Sequence, residues 1–145
     1  MVINMNLNEK ILNKLISEAR KAYCKGEIPV SAVIVDHNGK IVSFGRNKRQ
    51  KEFNVLGHAE VIAIMRAERK VKDWRLNNYY MYVTLEPCEM CSMIIRECRL
   101  ENVFYFLKKD GKVDDFNINK SLIGGFEQEK EEFRNLLTSF FDNRR

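Results

Sequence analysis

His58, Cys88 and Cys91 are the side chains of this sequence best suited to hold a transition metal, and Glu60 lies two residues from the first of them. Imidazole and thiolate are zinc donors. Structural zinc sites are closed by four protein ligands, whereas catalytic ones use three and keep a position for water. A fourth protein ligand is hard to find in this chain. The only other histidine, His37, falls in Asp36-His37-Asn38-Gly39, which reads as a hairpin turn. Cys24 and Cys98 have no partner at ligand spacing, and both are expected to be buried small hydrophobes. Cys98 in particular is seven residues past Cys91, about 10.5 Å along a helix and too far to share its ion. Three ligands, an open position and an adjacent acid point to hydrolysis. A metal so held lowers the pKa of water toward about 7, and Glu60 can take a proton from that water and hand it to a leaving group.

Other uses of a C-x-x-C pair fit less well. A redox pair leaves His58 and Glu60 unexplained, and a structural zinc site wants a second cysteine or histidine pair that the sequence does not contain. The elements around the motif must bring its halves together. Cys88 and Cys91 are three residues apart, so at the start of a helix over about 88–98 both sulfurs share a face, and Pro87 sits where helices tolerate proline. His58 opens a second helix over about 58–72, carried by Val61, Ile62, Met65, Ala67 and Val71. Two helix amino termini would then converge on the metal, and their dipoles favour thiolate. Glu60 would point toward the open position rather than serve as a fourth ligand.

The rest of the chain supplies the frame. Ile11, Leu12, Leu15, Ile16, Ala19 and Ala22 predict an amphipathic helix over about 7–24. Ala32-Val33-Ile34-Val35 reads as a strand buried on both faces. Asn38-Gly39 turns it into a second strand over 41–44. Further strands are expected over 79–85 and 103–107, with a weak one near 118–123. Phe133, Leu136, Leu137, Phe140 and Phe141 mark a terminal helix. This order implies an α/β layer fold whose later strands are parallel through right-handed crossovers.

Composition narrows the class. A chain of 145 residues, 45% hydrophobic and 31% charged with two prolines, is expected to form a single domain over 1–145 with a real core. No apolar run is long enough to cross a membrane as a helix. Residues 1–8 lack a signal-peptide pattern, and four cysteines including a C-x-x-C suit a reducing compartment, so the cytoplasm is expected. The net charge of +5 permits an anionic partner. Arg46, Lys48, Arg49 and Lys51 crowd one segment, and Arg144 and Arg145 end the sequence. Such clusters suit phosphates, although on charge alone a solvated basic surface explains them.

H-A-E followed by P-C-x-x-C is the signature of the zinc nucleobase deaminases. Gly26-Glu27-Ile28-Pro29-Val30, Gly45-Arg46-Asn47, Gly57-His58-Ala59-Glu60, Val83-Thr84-Leu85-Glu86-Pro87-Cys88-Glu89-Met90-Cys91 and the terminal Phe140-Phe141 with Arg144-Arg145 together resemble the bacterial tRNA-specific adenosine deaminase (TadA) family of the cytidine deaminase superfamily. The resemblance runs from about residue 7 onward. It implies a cytidine deaminase-like three-layer α/β/α sandwich around a mixed five-stranded sheet, one Zn2+ per chain and a homodimer. It further implies hydrolysis of adenosine to inosine at the wobble position of a tRNA anticodon, with Glu60 moving the protons and ammonia leaving. Asn47 matches an asparagine that hydrogen-bonds the base, and the Ala59 amide lies where it can help hold the ring. Phe140, Phe141 and Arg144 match a helix end that meets the RNA in the family, and the basic Arg46, Lys48 and Arg49 are further candidates for RNA contact by their charge.

The sequence departs from that family in four places. Ser31 follows Pro29-Val30 where the family has glycine, and Asn54-Val55-Leu56-Gly57 replaces D-P-T before the histidine. Ser92-Met93-Ile94-Ile95 follows the second cysteine, and 105–123 lacks the glycine- and alanine-rich run of the family. Two other readings therefore stand beside tRNA: a deaminase of a free base or nucleoside such as guanine or cytosine, and a deaminase-like subunit that only binds nucleic acid.

Overall fold

A computed structural model describes residues 7–51, 53–111 and 116–143. The first helix, α1 (Glu9–Cys24), starts where Asn8 accepts the Ile11 N–H on its side-chain oxygen at 3.0 Å, satisfying one of the orphan donors of a first turn. Its buried stripe is Ile11, Leu15, Glu18, Ala19 and Ala22. Strands β1 (Ser31–Val35) and β2 (Ile41–Arg46) then form the expected antiparallel hairpin, with Gly39 at a φ of 77° in the turn. Helix α2 (Ala59–Val71), strand β3 (Tyr80–Leu85), helix α3 (Glu89–Cys98), strand β4 (Asn102–Leu107), the short strand β5 (Lys120–Leu122) and helix α4 (Glu127–Asp142) follow.

The sheet order is β2-β1-β3-β4-β5. β1 pairs antiparallel with β2 and β3, whereas β3–β4 and β4–β5 are parallel, as the crossover argument requires. β1 is buried along its whole length because it is covered on both sides. Val33 and Val35 pack with Ile11, Leu15, Phe106 and Phe133, beneath α1 and α4. Ala32 and Ile34 pack with Ala63, Ile64, Ala67 and Ile95, beneath α2 and α3. The result is a three-layer α/β/α sandwich around a mixed sheet. Because β3 and α3 are consecutive, the carboxyl end of β3 delivers the chain directly to the start of α3 at the same edge where α2 begins.

Three expectations need adjustment. Cys24 is exposed, not buried. It lies five positions beyond Ala19, about 140° around the helix from the buried stripe. Phe133 and Phe140 are buried, but Phe141 is 53% exposed. An offset of eight residues from Phe133 rotates it about 80° off the stripe, whereas seven residues return Phe140 to within about 20°. Helix α3 begins at Glu89 with Cys88 as its cap, which leaves Pro87 just outside the helix.

Candidate metal centre

His58 and Cys88 occupy the same position in two helices. His58 is the N-cap of α2 and Cys88 the N-cap of α3, both extended, and neither side chain is used to cap its own helix. Their side chains are thus left to meet across the gap between the two helix starts. Cys91 lies in the first turn of α3, on the side facing His58. The Nδ1 atom of His58 is 3.8 Å from Cys88 Sγ and 3.5 Å from Cys91 Sγ, and all three donor atoms lie within 4.8 Å of one another. Bonds of about 2.1 Å to nitrogen and 2.3 Å to sulfur at tetrahedral angles set N and S about 3.6 Å apart, so the donor set fits one Zn2+.

The electrostatics agree with that fit. The hydrogen bond from Cys91, working against burial and aided by His58, pushes the Cys88 thiol down to about 3. The same shared bond, together with burial and the nearby Glu60, pushes Cys91 up. The two sulfurs therefore hold a proton between them that a dication can displace. Glu60, in the first turn of α2, is 4% exposed. Burial, reinforced by the negative Cys88, raises its carboxyl to about 7, while its backbone hydrogen bond, His58 and Cys91 pull the other way.

Asn47, one residue past β2, completes the start of α2. Its side-chain oxygen accepts the Ala59 N–H at 2.8 Å, and Asn47 itself is buried. It supplies in trans the cap that His58 does not. The Ala59 amide is thus engaged by Asn47, and the donor that remains on this pair is the Asn47 Nδ2 group. Gly45 makes the close approach possible. A Cβ there would stand 2.5 Å from the Ala59 carbonyl oxygen and 2.9 Å from the Ala63 nitrogen. Strand β2 and helix α2 therefore meet backbone to backbone, which fixes where His58 and Glu60 stand.

Three buried carboxylates outside the metal motif hold its surroundings. Glu27 accepts the N–H groups of Gln50 and Lys51 at 3.1 and 2.9 Å, fastening the segment between β2 and α2. Lys48 N–H donates to the Gly57 carbonyl at 2.7 Å and closes that segment at its base. Glu86, directly before Pro87, accepts the Lys109 N–H at 3.1 Å and pairs with Lys120 Nζ at 2.7 Å. The positions of Lys109 and Lys120 are thereby tied to the loop that carries Cys88. Glu18 pairs with Arg46 at 2.8 Å and with Lys21 at 3.2 Å. None of the three carboxylates was singled out by sequence reasoning. Glu18 had a signal, since it falls on the apolar stripe of α1. Glu27 and Glu86 had only their place inside the quoted motifs.

The basic positions divide. Arg46 is committed to Glu18 and mostly covered, with 17% of its side chain exposed. Lys48 is half-buried and Arg49 exposed, both on the segment that leads to His58. Phe140 is packed into the α1–α4 layer and only Phe141 is open to solvent. Arg144 lies outside the described residues.

Comparison with known proteins agrees with this geometry. The family model for the cytidine and deoxycytidylate deaminase zinc-binding region matches residues 5–107. A tRNA-specific adenosine deaminase of Bacillus subtilis is 34% identical, over 94% of this chain and 90% of that protein. A tRNA-specific adenosine deaminase of Rickettsia bellii is 44% identical over 65% of this chain, a match that spans 66% of that protein. Among solved structures, one from work on A-to-I editing by tRNA:A34 deaminases at the wobble position of transfer RNA superimposes with a TM-score of 0.79 at 24% identity, covering 90% of this chain and 100% of that one.

Proposed function

The chain belongs to the zinc-binding cytidine and deoxycytidylate deaminase family, within its tRNA-specific adenosine deaminase branch, and from that premise we propose that it hydrolyses adenosine to inosine at the wobble position of a tRNA anticodon, releasing ammonia. The observation that carries the reading is the triangle of His58, Cys88 and Cys91 with the buried Glu60 beside it. Zn2+ in that triangle supplies the Lewis acidity that makes water nucleophilic near neutral pH. Glu60 takes one proton from the attacking water and delivers it to the ring nitrogen, then takes the second from the new C6 hydroxyl and delivers it to the departing amine. Water thus adds oxygen at C6, and the C6–N bond breaks to give ammonia. The carboxylate oxygens of Glu60 are the only acid–base atoms the step needs, and burial keeps them from exchanging protons with bulk solvent.

Asn47 orients the base. Its Oδ1 is held by the Ala59 amide, so its Nδ2 is aimed and free to donate to a ring acceptor, and Ala59 acts through it. Lys48 and Arg49 lie next in sequence and are proposed to contact phosphates, as is Arg144, while Phe141 is proposed to pack against a base or sugar. Arg46 and Phe140 are proposed to shape that side from within, because both are packed away. We read 1–145 as one deaminase domain, which a single cooperative unfolding transition would support and two separable transitions would refute. The protein is proposed to be a cytoplasmic homodimer. In support, α2 and α3, neighbours in one layer, leave Met65 and Met93 46% and 51% exposed, and the four cysteines are all free thiols. A monomeric mass in solution at micromolar concentration would refute the dimer.

The decisive assay incubates the zinc-loaded protein with an anticodon stem-loop carrying adenosine at the wobble position, and separately with free adenosine, guanine and cytidine. Inosine in the stem-loop alone is the expected result. Ammonia from guanine or cytidine with an inert stem-loop overturns the assignment.

A further inference from the structure

Phe53 is 95% exposed, the most open large apolar side chain among the described residues, and its backbone is left-handed at a φ of 50°. Residues other than glycine seldom adopt that conformation, and a bulky one does so only where its surroundings enforce it. Here they do. The 48–57 segment is closed at its base by Lys48 and Gly57, and buried Glu27 accepts the Gln50 and Lys51 amides. Across its width Asn54 N–H donates to the Arg49 carbonyl at 3.1 Å, and Leu56 N–H donates to Asn54 Oδ1 at 2.9 Å. An anchored loop therefore holds a phenyl ring out into solvent. His58 lies five positions after Phe53, so the Cα atoms of the two residues are no more than about 18 Å apart.

We propose that Phe53 is a stacking platform for an unpaired base beside the adenosine that enters the site. The inference rests on the RNA substrate proposed above and adds a specificity-determining residue to it. The loop carries Arg49 and Lys51 on the arm leading to Phe53, both exposed and neither in an ion pair among the described residues. A phenyl face next to unneutralised cations is the chemistry that holds single-stranded nucleic acid: the charges follow the backbone while the ring stacks on a base. A protein partner burying Phe53 would have to leave those cations unpaired or bring acids to meet them.

The test uses the zinc-loaded protein and an anticodon stem-loop with 2-aminopurine replacing a loop base next to the target adenosine. Phe53→Ala should weaken stem-loop binding and lower kcat/KM on it by roughly 5- to 100-fold. Deamination of the target base once saturated should be little changed, and the quenching of 2-aminopurine seen with the wild type should be lost. Phe53→Trp should restore both binding and quenching. Unchanged binding by Phe53→Ala overturns the proposal, as does a Phe53→Ala protein whose solution mass falls to that of a monomer, which would make the ring a subunit contact. If the wild type binds the stem-loop yet leaves its adenosine intact, the reaction proposed above fails, while the binding comparison still decides the platform.

Discussion

The metal corner and the rim around it are held in place by different kinds of interaction. The corner draws its donors from two helix starts, each a motif only a few residues long: His58 with Glu60, and Cys88 with Cys91. The rim is fastened by buried carboxylates that reach 23 to 34 residues along the chain, Glu27 to the 48–57 loop and Glu86 to Lys109 and Lys120. In the corner, donor chemistry and backbone turn are specified together, so few substitutions are compatible with it. On the rim, one carboxylate can hold segments of different length and composition. Gln50 and Lys51 on one side and Lys109 and Lys120 on the other are both held in this second way. Chemistry can thus stay fixed while the surface that meets a substrate changes.

The largest effect should come from breaking the corner itself. Cys91→Ser removes a thiolate from a three-ligand site, and zinc content and activity should both fall to background, read by metal analysis and by ammonia release. Retention of a full equivalent of zinc would show that the triangle is not the site. Glu60→Gln comes next and separates binding metal from moving protons. Zinc should remain at one per chain while kcat falls by roughly 100- to 10,000-fold, the range for losing a general acid–base group. Loss of zinc alongside activity would instead make Glu60 part of the metal's support.

The rim should fail in another currency, stability. Glu86→Ala strands Lys120, whose side chain is only 13% exposed, and leaves the Lys109 amide without its acceptor. Removing one partner of a buried pair costs about 3 kcal/mol, visible as a lower urea midpoint. The double variant Glu86→Ala with Lys120→Met should recover part of that loss, because the buried charge is gone. If the single variant is as stable as the wild type, the clamp does not hold the rim.

The same contrast explains what could be read from sequence. His58, Glu60, Cys88 and Cys91 were legible because metal chemistry restricts residue type and helix geometry restricts spacing, and both act locally. The layers were legible because burial on one face leaves a period in the sequence, as in α1 and β1. Where the period breaks, reading failed: Cys24 and Phe141 sit beside buried stripes but are turned away from them by about 140° and 80°. Glu27, Glu86 and the Glu18–Arg46 pair leave no such mark, since a carboxylate that will be buried against a distant backbone looks like any surface acid. Arg46 shows the cost of that blindness. Counted by sequence it joins a basic cluster, whereas in the structure its charge is spent on Glu18.

The smallest predicted effect concerns that pair and reaches the rim without touching the metal. Burial pushes the Glu18 carboxyl up, but hydrogen bonds and charge from Arg46 and Lys21 outweigh it and hold the group below its ordinary value of 4.5. A carboxyl whose folded pKa lies below its unfolded one stabilises the fold fully above the unfolded value, and that stabilisation is lost as pH falls through the folded value. Glu18→Gln has no such proton to take up. The stability gap between wild type and Glu18→Gln in urea should therefore be constant from neutral pH down to about pH 5 and shrink below it. Zinc release at low pH affects both proteins alike and cancels in the difference, because the two sites share no partner. A gap that stays constant to pH 3 would mean that the pair is mere packing, and Arg46 would then be available to the RNA side after all.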